Sequence, residues 1–388
     1  MHFALTPEQE SIRDAIEKIC ADYGYDYWRA KDRDGGFPYE FYHAIAKAGW
    51  LGIAMPEAYG GAGLGITEAT LMMRTVAESG AGLSGASAIH MNIFGLHPVV
   101  KFGTEEQKRR WLPPLIAGEQ QACFAVTEPN TGLETLKLKT FAKRVGDKYV
   151  VNGQKVWIST AQVAHKMLLL ARTTPLEDVT KPGTGLSLFY IDLDRTRIEV
   201  REIDKMGRKA VDTNQVFIDN LEVPVADRIG EEGRGFEYIL HGMNPERVLI
   251  ASEAVGMGRA ALKLAAKYAG ERIVFGRPIG KNQGIQHPLA ERWIELEAAD
   301  LLTMRAAWLY DQGQPCGAEA NAAKYFAGEA GFKACETAVL SHGGMGYAKE
   351  FHVERLMRES MIARIAPVSP QMVLNFIGEK VLGLPKSY

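Results

Sequence analysis

The chain has 388 residues, with 45 basic and 47 acidic side chains, a formal net charge of −2 and 46% hydrophobic residues. This length favours two or three domains. No long basic run is present, so the sequence gives no electrostatic footprint for a nucleic acid. No apolar run approaches the roughly 20 residues that span a bilayer, and the opening MHFALTPEQE lacks a signal-peptide pattern. We therefore expect a cytoplasmic protein without a membrane span.

Residues 1–121 have the pattern of a helical domain. The segment TPEQESIRDAIEKICADY begins with Thr6 as a cap and Pro7 in the first turn, followed by apolar residues at helical spacing. The segments PYEFYHAIAKAGWLGI and TEATLMMRTVAESG continue in the same style. A last helix, in TEEQKRRWLPPLIAGEQ, is predicted to end at its double proline and Gly118.

From residue 122 the hydrophobic period becomes that of strands. Residues 136–139, LKLK, alternate like a half-buried strand. The segment KYVVNGQKVWIST predicts two antiparallel strands joined at Asn152-Gly153, after a tight turn at Gly146-Asp147. HKMLLLAR, LSLFYIDL and NQVFIDNLEVP extend the β region, and their short connections leave no room for βαβ crossovers. Residues 122–230 are therefore predicted to form a central antiparallel β domain, either a small sandwich or a barrel.

Helical patterns return in GEEGRGFEYIL and fill residues 231–388. The segment NAAKYFAGEAGFKACETAVLS is rich in Ala and Gly, which allows close helix packing. In PLAERWIELEAADLLTMRAAWL, one helical stripe carries the apolar side chains of Leu289, Trp293, Leu296, Leu302 and Ala306. These patterns indicate a four-helix-bundle-like C-terminal domain. The predicted fold class is α+β, with a helical domain, a β domain and a helical bundle in that order.

Several common site motifs are absent or out of context. Gly80–Gly85 matches GxGxxG, but it follows a predicted helix and not a strand, so it does not indicate dinucleotide binding. The nine histidines form no HExxH motif, and neither GxSxG nor GxxxxGK[ST] occurs. The four cysteines are widely separated and form no CxxC pair, so they suggest neither a disulfide framework nor an oxidising compartment. Metal-dependent, serine-hydrolase and nucleotide-hydrolysing functions therefore lack support.

Glu246 lies in an otherwise apolar stretch, NPERVLIASEAVGMG. Local rules explain it without a function, because Asn244 can cap a helix and Pro245 suits its first position. A carboxylate in the first turn would then be stabilised by the helix dipole. A catalytic role for Glu246 requires support from the rest of the chain.

Four segments supply that support together. They are CFAVTEPNTG at 123–132, NGQKVWIST at 152–160, ERIVFGRPIGKNQGIQHPLA at 271–290 and HGGMGYAKEFHVERLMRES at 342–360. In order and spacing they resemble the acyl-CoA dehydrogenase family along essentially the whole chain. The resemblance implies an FAD enzyme that desaturates acyl-CoA thioesters, assembles as a homotetramer and passes electrons to an electron-transfer flavoprotein.

The resemblance also implies a set of cofactor-binding residues. It places the flavin ring between a strand that carries Phe124, Val126 and Thr127 and a second strand that carries Trp157 and Ser159. Aromatic faces cover an apolar ring, an arginine suits a pyrophosphate, and a glycine lets backbone approach closely. The residues that match contacts to the adenosine diphosphate half of a neighbouring subunit's FAD are Arg272, Phe275, Gln283 and Gly344.

The catalytic position departs from the commonest pattern of the family. Its Tyr-Glu-Gly-Thr motif aligns with residues 366–369, Ala-Pro-Val-Ser, so the usual glutamate is absent. Isovaleryl-type and long-chain-type members carry the base on an earlier helix, just before an arginine, and here that place is Glu246-Arg247. The resemblance therefore implies that Glu246 is the base and that Asn244 and Arg247 lie on the substrate side. Ser369, at the threonine position, is expected to contact the cofactor.

Two further departures bear on the substrate and the chemistry. Ala366 stands where a tyrosine is common, which removes a wall of the acyl pocket and favours a branched or bulky acyl group. Pro367 has no N–H at a position where the family's backbone polarises the thioester carbonyl. Leu133-Glu134 and Leu340 also differ from the motif. These differences leave two alternatives open: a flavin oxidase, monooxygenase or desulfinase on the same scaffold, and a catalytically silent flavoprotein.

Overall fold

The computed structural model describes residues 4–387, in which α-helices precede and follow one large sheet. The α-helices are α1 Pro7–Ala21, α2 Tyr25–Asp34, α3 Tyr39–Lys47, α4 Ile66–Val76, α5 Gly82–Phe94, α6 His97–Phe102, α7 Glu105–Ile116, α8 Gly235–Glu271, α9 Gln283–Asp311, α10 Gly317–His342, α11 Val353–Ile365 and α12 Pro370–Phe376. The strands are β1 Ala122–Ala125, β2 Phe141–Val145, β3 Lys148–Ser159, β4 Lys166–Arg172, β5 Leu186–Asp192, β6 Ile198–Glu202, β7 Thr213–Pro224, β8 Arg228–Ile229, β9 Ile273–Val274 and β10 Arg277–Pro278. This order confirms the predicted fold class.

The N-terminal helices follow their capping signals. At the start of α1, the Thr6 side chain accepts a hydrogen bond from the Gln9 N–H, and Pro7 occupies the first turn as predicted. The prediction that α7 ends at its double proline is wrong, because the helix continues through Pro113 and Pro114 to Ile116. The predicted stop at Gly118 is confirmed, because this residue follows the helix end with a φ of 73°. The two carbonyls that lose their helical partners belong to exposed residues, where water can satisfy them.

The glycine-rich segment Gly80–Gly85 lies at the junction of α4 and α5. A π-helical turn, Ala77–Ala81, joins the two helices, and Gly80 has a φ of 101°. A Cβ at Gly80 would lie 2.8 Å from the Tyr25 ring. This glycine therefore serves close packing at a kink, in agreement with the absence of a preceding strand.

The central domain is a single open sheet in the order β6-β7-β3-β2-β4-β5-β8, with β1 beside β4. Most neighbouring strands are antiparallel, but β4 pairs in parallel with β1 and, at one residue pair, with β2. The prediction of an antiparallel sandwich or barrel is thus corrected to an open, mixed sheet. The sheet curls over a core of its own, to which β3, β6 and β7 contribute from one half and β4 and β5 from the other.

The predicted strand at residues 136–139 does not exist. Residues 135–137 form a 3₁₀ turn, and side chains replace a neighbouring strand as hydrogen-bond partners. The Arg172 guanidinium donates to the carbonyl of Leu136 at 2.6 Å. Glu128 accepts hydrogen bonds from the N–H groups of Lys139 and Thr140. Sequence periodicity cannot reveal partners that come from distant side chains.

The predicted turn at Asn152-Gly153 is also wrong, because β3 continues through it. The hairpin turn lies at Gly146-Asp147, as predicted, and connects β2 with β3. Asn152-Gly153 instead falls at an irregularity in the pairing of β3 with β7. A Cβ at Gly153 would lie within 2.4 Å of the Thr140 hydroxyl. The glycine is required by close strand packing and not by a turn.

The C-terminal domain is a bundle built around α8, which has 37 residues and contacts α9, α10 and α11. Small residues line these contacts: a Cβ at Gly331 of α10 would lie 2.5 Å from the backbone oxygen of Ala254 on α8. On α9, Leu296 and Ala306 are buried as predicted, but Trp293 is 57% exposed. Within residues 4–387, no helix combines the length and apolarity needed to cross a membrane.

Candidate active site

Glu246 lies in the body of α8 and not at its start. The predicted helix beginning at Asn244 is wrong, because α8 starts at Gly235, about three turns before Glu246. The helix dipole therefore contributes little, since its effect fades within the first turn. Pro245 sits inside the helix, where its missing N–H leaves the carbonyl of His241 without its helical partner. The local explanation for Glu246 loses its structural basis.

The Glu246 carboxylate is buried without a partner on one oxygen. Its Oε2 atom is shielded from solvent and makes no hydrogen bond with residues 4–387. Burial raises the pKa of Glu246 to about 7, and the nearby carboxylate of Glu253 acts in the same direction. His90 and Arg247 act in the opposite direction. A carboxylate that titrates near neutral pH with a free oxygen is suited to accept a proton.

A second acidic side chain on the same face of α8 pairs with a histidine. Glu253 follows Glu246 by two helical turns and is fully buried. Its Oε1 atom lies 2.5 Å from Nδ1 of His90, which belongs to α5. Burial alone would lower the pKa of His90, but the carboxylates of Glu253 and Glu246 outweigh it and raise the pKa. His90 therefore holds its proton more strongly than a free imidazole does, next to the candidate base.

An arginine completes this polar group. Arg208 lies in the connection between β6 and β7 and has a φ of 57°, which is unusual for a side chain of this size. Its Nη1 donates to the Ser87 hydroxyl at 2.7 Å, and its Nη2 donates to the Ser159 hydroxyl at 3.4 Å. Arg208 thus links α5, one turn before His90, to the end of β3.

Predicted flavin contacts on the first strand lie beside those on the second. Phe124, on β1, and the following Val126 and Thr127 are half-buried. The Thr127 carbonyl accepts a hydrogen bond from the N–H of Val156 at 2.9 Å, which holds the end of β1 against β3. The two predicted walls of the flavin site are therefore contiguous.

Trp157 stands out on the second strand. The pairing of β3 with β7 is irregular here, and Trp157 has a φ of 63°. Its indole is 60% exposed although both neighbouring residues are buried. A large aromatic side chain held outward by an unfavourable backbone conformation is typical of a ligand surface. Ser159 follows at the end of the strand and joins this surface to Arg208.

A buried ion pair beneath this surface was missed by the sequence reasoning. Nζ of Lys155 lies 3.0 Å from Oε1 of Glu128, and both side chains are almost fully buried. Nζ also donates to the carbonyls of Val126 and Leu170. These contacts fix the segment after β1 against β3 and β4. Both residues lie within the matched segments, but the sequence gives no signal that they contact each other.

The remaining predicted cofactor residues lie far from Trp157 in sequence and on a different part of the fold. Arg272 follows the last turn of α8, Gln283 begins α9, and both are exposed. Phe275, in the β9–β10 hairpin, is 99% exposed and has a φ of 52°. Gly344 lies after α10, with open space where a Cβ would be. These residues form a second exposed group.

The length of α8 separates the two groups. A helix rises about 1.5 Å per residue, so the interval from Glu246 to Arg272 corresponds to roughly 40 Å. This separation exceeds the reach of one dinucleotide. The structure therefore does not bring Arg272 to the Glu246 site of the same chain, which is compatible with the predicted contact across a subunit boundary.

The loop between α11 and α12 carries the other predicted residues. Nζ of Lys324, on α10, donates to the loop carbonyls of Arg364 at 3.0 Å and Val368 at 2.6 Å. Burial lowers the pKa of Lys324 to about 8, with a further contribution from Arg247. Arg247 itself donates to Asn244 on the preceding turn of α8. Lys324 thus connects the loop to the neighbourhood of Glu246-Arg247.

Within this loop, Ala366 and Pro367 are half-buried and present no carboxylate. Ser369 caps α12, where its Oγ accepts a hydrogen bond from the N–H of Met372. The structure thus gives Ser369 a helix-capping role, and its predicted contact with the cofactor stays a prediction. Of the polar residues near Glu246, Glu253 had a sequence signal, because it recurs on the same helix face. His90 and Arg208 had none.

Comparisons with known proteins agree along the whole chain. Family models match the acyl-CoA dehydrogenase N-terminal domain at residues 6–119, the middle domain at 123–221 and the C-terminal domain at 233–382. Acyl-CoA dehydrogenase FadE12 of Mycobacterium tuberculosis is 39% identical over 391 residues, covering 100% of this chain and 99% of the relative.

Solved structures show the same similarity. Butyryl-CoA dehydrogenase from Megasphaera elsdenii superposes with a TM-score of 0.93 at 28% identity, covering 98% of this chain and 100% of the other. The prolyl acyl carrier protein oxidase AnaB gives a TM-score of 0.91 at 29% identity, with 98% and 100% covered. This chain belongs to the acyl-CoA dehydrogenase family, a family of flavin-dependent oxidoreductases that use FAD.

Proposed function

We propose that this chain is an acyl-CoA dehydrogenase that converts an acyl-CoA thioester to the trans-2-enoyl-CoA, with Glu246 as the catalytic base. The observation that carries the proposal is the Glu246 carboxylate, which has a buried oxygen without a partner and a pKa raised to about 7. The alternative family position, residues 366–369, offers no carboxylate.

The residues present fit an FAD. Trp157 offers an exposed aromatic face, and Ser159 and Thr127 offer hydroxyls on the adjoining strand ends. Open space at Gly344 lets backbone approach a phosphate or a ribose. Phe124, Val126, Thr127, Trp157 and Ser159 would hold the flavin, whereas Arg272, Phe275, Gln283 and Gly344 would hold the adenosine diphosphate. When bound, FAD supplies the acceptor for the hydride that leaves the β-carbon.

The protein's own task is to remove a weakly acidic α-proton. Glu246 can accept it because burial has raised the basicity of its carboxylate. His90 lies beside Glu253 and acts to lower the pKa of Glu246, against the larger effect of burial. The α-proton is then held on Glu246 until product leaves. Pro367 has no N–H. The hydrogen-bond donor that polarises the thioester oxygen must therefore be a group other than the backbone of residue 367.

The activity test replaces Glu246 by glutamine, which is nearly isosteric. Glu246→Gln should slow anaerobic flavin reduction by about 10²–10⁴-fold while FAD content is retained. The matched control is Glu237→Gln, an exposed carboxylate in the first turn of the same helix that pairs with Arg234. Flavin reduction by the Glu246 variant within about tenfold of the parent would exclude Glu246 as the base.

Ala366 supports the proposal of a branched or bulky acyl group, because a small side chain at this position leaves room where the family often has a tyrosine. Ala366→Tyr should lower kcat/KM for a branched acyl-CoA by more than tenfold relative to the straight-chain isomer. Steady-state assays with both isomers provide the comparison. Equal effects on the two substrates would show that residue 366 does not line the pocket.

We also propose a homotetramer that transfers electrons to an electron-transfer flavoprotein. Support comes from the separation of Glu246 and Arg272 along α8, which keeps the two groups of predicted cofactor residues apart within one chain. The acceptor is testable directly, since reduced enzyme should be reoxidised by an electron-transfer flavoprotein and only slowly by oxygen.

A second candidate function follows from Pro367. Pro367 lacks the backbone N–H that would donate to the thioester carbonyl. In addition, the chain resembles AnaB, which is described as an oxidase. An oxidase acting on an acyl thioester would be reoxidised rapidly by oxygen, and rapid mixing of the reduced protein with aerated buffer separates the two functions. A catalytically silent flavoprotein would not be reduced by any acyl-CoA.

A further inference from the structure

Arg208 places a guanidinium group between α5 and the end of β3, close to His90. It contacts Ser159, at the end of the predicted flavin wall, and Ser87, on the helix that also carries His90. His90 in turn pairs with Glu253 on the helix of the candidate base. Arg208 therefore lies between the surface that would hold the flavin and the helix that holds Glu246.

The partners of Arg208 do not balance its charge. Both are neutral hydroxyls, and among residues 4–387 no carboxylate lies within ion-pair distance of this guanidinium. Burial lowers the pKa of Arg208, whereas three more distant carboxylates act in the opposite direction. A half-buried guanidinium that faces only hydroxyls is costly, because its charge is removed from water without direct compensation.

The three distant carboxylates are already bound elsewhere. Glu253 pairs with His90, and Glu359 pairs with Arg355 at 3.0 Å. Asp212 accepts a hydrogen bond from the backbone N–H of Gln162 at 2.9 Å. Oε2 of Glu253 has no hydrogen-bond partner among residues 4–387, but neither Glu253 nor the other two carboxylates forms an ion pair with Arg208. The remaining N–H groups of the planar Arg208 guanidinium match the geometry of a carboxylate.

We propose that Arg208 binds a second carboxylate carried on the acyl chain of the substrate, so that the preferred substrate is a dicarboxylic monothioester of CoA. This inference rests on the proposed function. A hydrocarbon chain offers no acceptor to the guanidinium, whereas a terminal carboxylate supplies both the acceptor and the missing negative charge. Ser87 and Ser159 act as positioning residues that orient the guanidinium.

The test compares acyl-CoA pairs of equal chain length, with either a methyl or a carboxylate end: pentanoyl-CoA with glutaryl-CoA, and hexanoyl-CoA with adipyl-CoA. The parent protein should show a higher kcat/KM for the carboxylated member of at least one pair. Arg208→Met should lower the ratio of carboxylated to methyl-ended kcat/KM by about 10²-fold or more, because a site built around a polar contact discriminates strongly. Arg208→Lys keeps the positive charge but not the paired N–H donors, so its ratio should lie between those of the parent and Arg208→Met.

A matched control and a binding measurement complete the design. Lys209→Met removes the adjacent cation, whose Nζ instead contacts the backbone of Arg33, and should leave the ratio unchanged. Calorimetric titration of the oxidised holoenzyme with the carboxylated 2-enoyl-CoA should show weaker binding to Arg208→Met than to the parent. If Arg208→Met does not fold, Ser87→Ala removes the closer orienting contact and should lower the same ratio.

The outcomes separate this inference from the proposed function. If no acyl-CoA of either kind reduces the flavin, the dehydrogenase proposal fails. If the methyl-ended substrates are oxidised but carboxylated ones are not preferred, only the role of Arg208 is overturned. Equal losses on both members of a pair in Arg208→Met would show that Arg208 merely joins α5 to the β domain.

Discussion

At the scale of single residues, the basicity of Glu246 depends on a neighbour contributed by another helix. Burial raises the pKa of Glu246 to about 7, and His90 acts against this rise. Removing the His90 side chain should therefore raise the pKa of Glu246 further. Because only the ionised carboxylate accepts the α-proton, the rising limb of the pH–rate profile should move to higher pH in His90→Asn.

The expected result is a loss of activity that is largest on the acid side of neutral pH and shrinks as the pH rises above the pKa of Glu246. The pH dependence of anaerobic flavin reduction measures it. His43→Asn is the control, because His43 is exposed on α3 and should not move the profile. A uniform loss at every pH would indicate that His90 only supports the packing of α5.

At the scale of elements, the sequence correctly predicted those helix starts and turns that depend only on neighbouring residues. Thr6 and Pro7 fixed the start of α1, and Gly146-Asp147 fixed a hairpin, since capping and turn geometry involve only neighbours in sequence. The predictions failed where distant partners intervene. Asn152-Gly153 has the strongest turn signal of its segment, yet packing against Thr140 places it inside a strand.

The candidate site shows the same division. Trp157 and Ser159 could be proposed from the sequence because a matched segment carries them, and Glu246 because the resemblance implies a base just before an arginine. His90, Arg208 and Ser87 could not, because their roles arise from contacts between elements separated by more than a hundred residues. The return of helices in GEEGRGFEYIL was predicted correctly, but a second helix start at Asn244 was wrong because Pro245, which normally begins a helix, lies within α8.

The packing of Gly153 leads to a prediction about stability. Gly153→Ala places a Cβ about 2.4 Å from the Thr140 hydroxyl and 2.7 Å from its backbone, so the strand must shift. We expect a loss of about 2–4 kcal/mol in the free energy of unfolding. Thermal unfolding followed by circular dichroism gives the change.

Gly270→Ala is the opposite control, because this helical position on α8 has open space for a Cβ. Alanine there should raise stability by about 0.5–1 kcal/mol. Similar unfolding temperatures for Gly153→Ala and the parent would show that the strand accommodates a side chain at residue 153.

At the scale of the whole molecule, exposed apolar side chains on α9 indicate an assembly surface. Trp293, Ile294, Leu301 and Trp308 are each between 44% and 62% exposed in the single chain. Introducing charge with Trp293→Asp and Ile294→Asp should dissociate the proposed tetramer, because both side chains would carry unpaired charge into the proposed interface. Light scattering measures the mass.

The same variant should lose FAD as it dissociates, since Arg272 and Gln283 are proposed to hold the cofactor of another subunit. A conservative change on an exposed part of the first helix, Glu10→Gln, serves as the control. A dissociated protein with full flavin occupancy would contradict the proposed sharing of the cofactor, and an unchanged mass would place the interface elsewhere.

The uninterrupted length of α8 has a genetic consequence. In the proposed tetramer, the helix carries the base for one reaction centre near Pro245 and ends at Arg272, which serves a different centre. A defective copy co-expressed with normal copies would then damage sites that belong to its neighbours as well as its own. Inheritance of an Arg272 defect would therefore be partly dominant. By contrast, when chains defective only in Glu246 are mixed with chains defective only in Arg272, some of the reaction centres would contain both residues and regain activity.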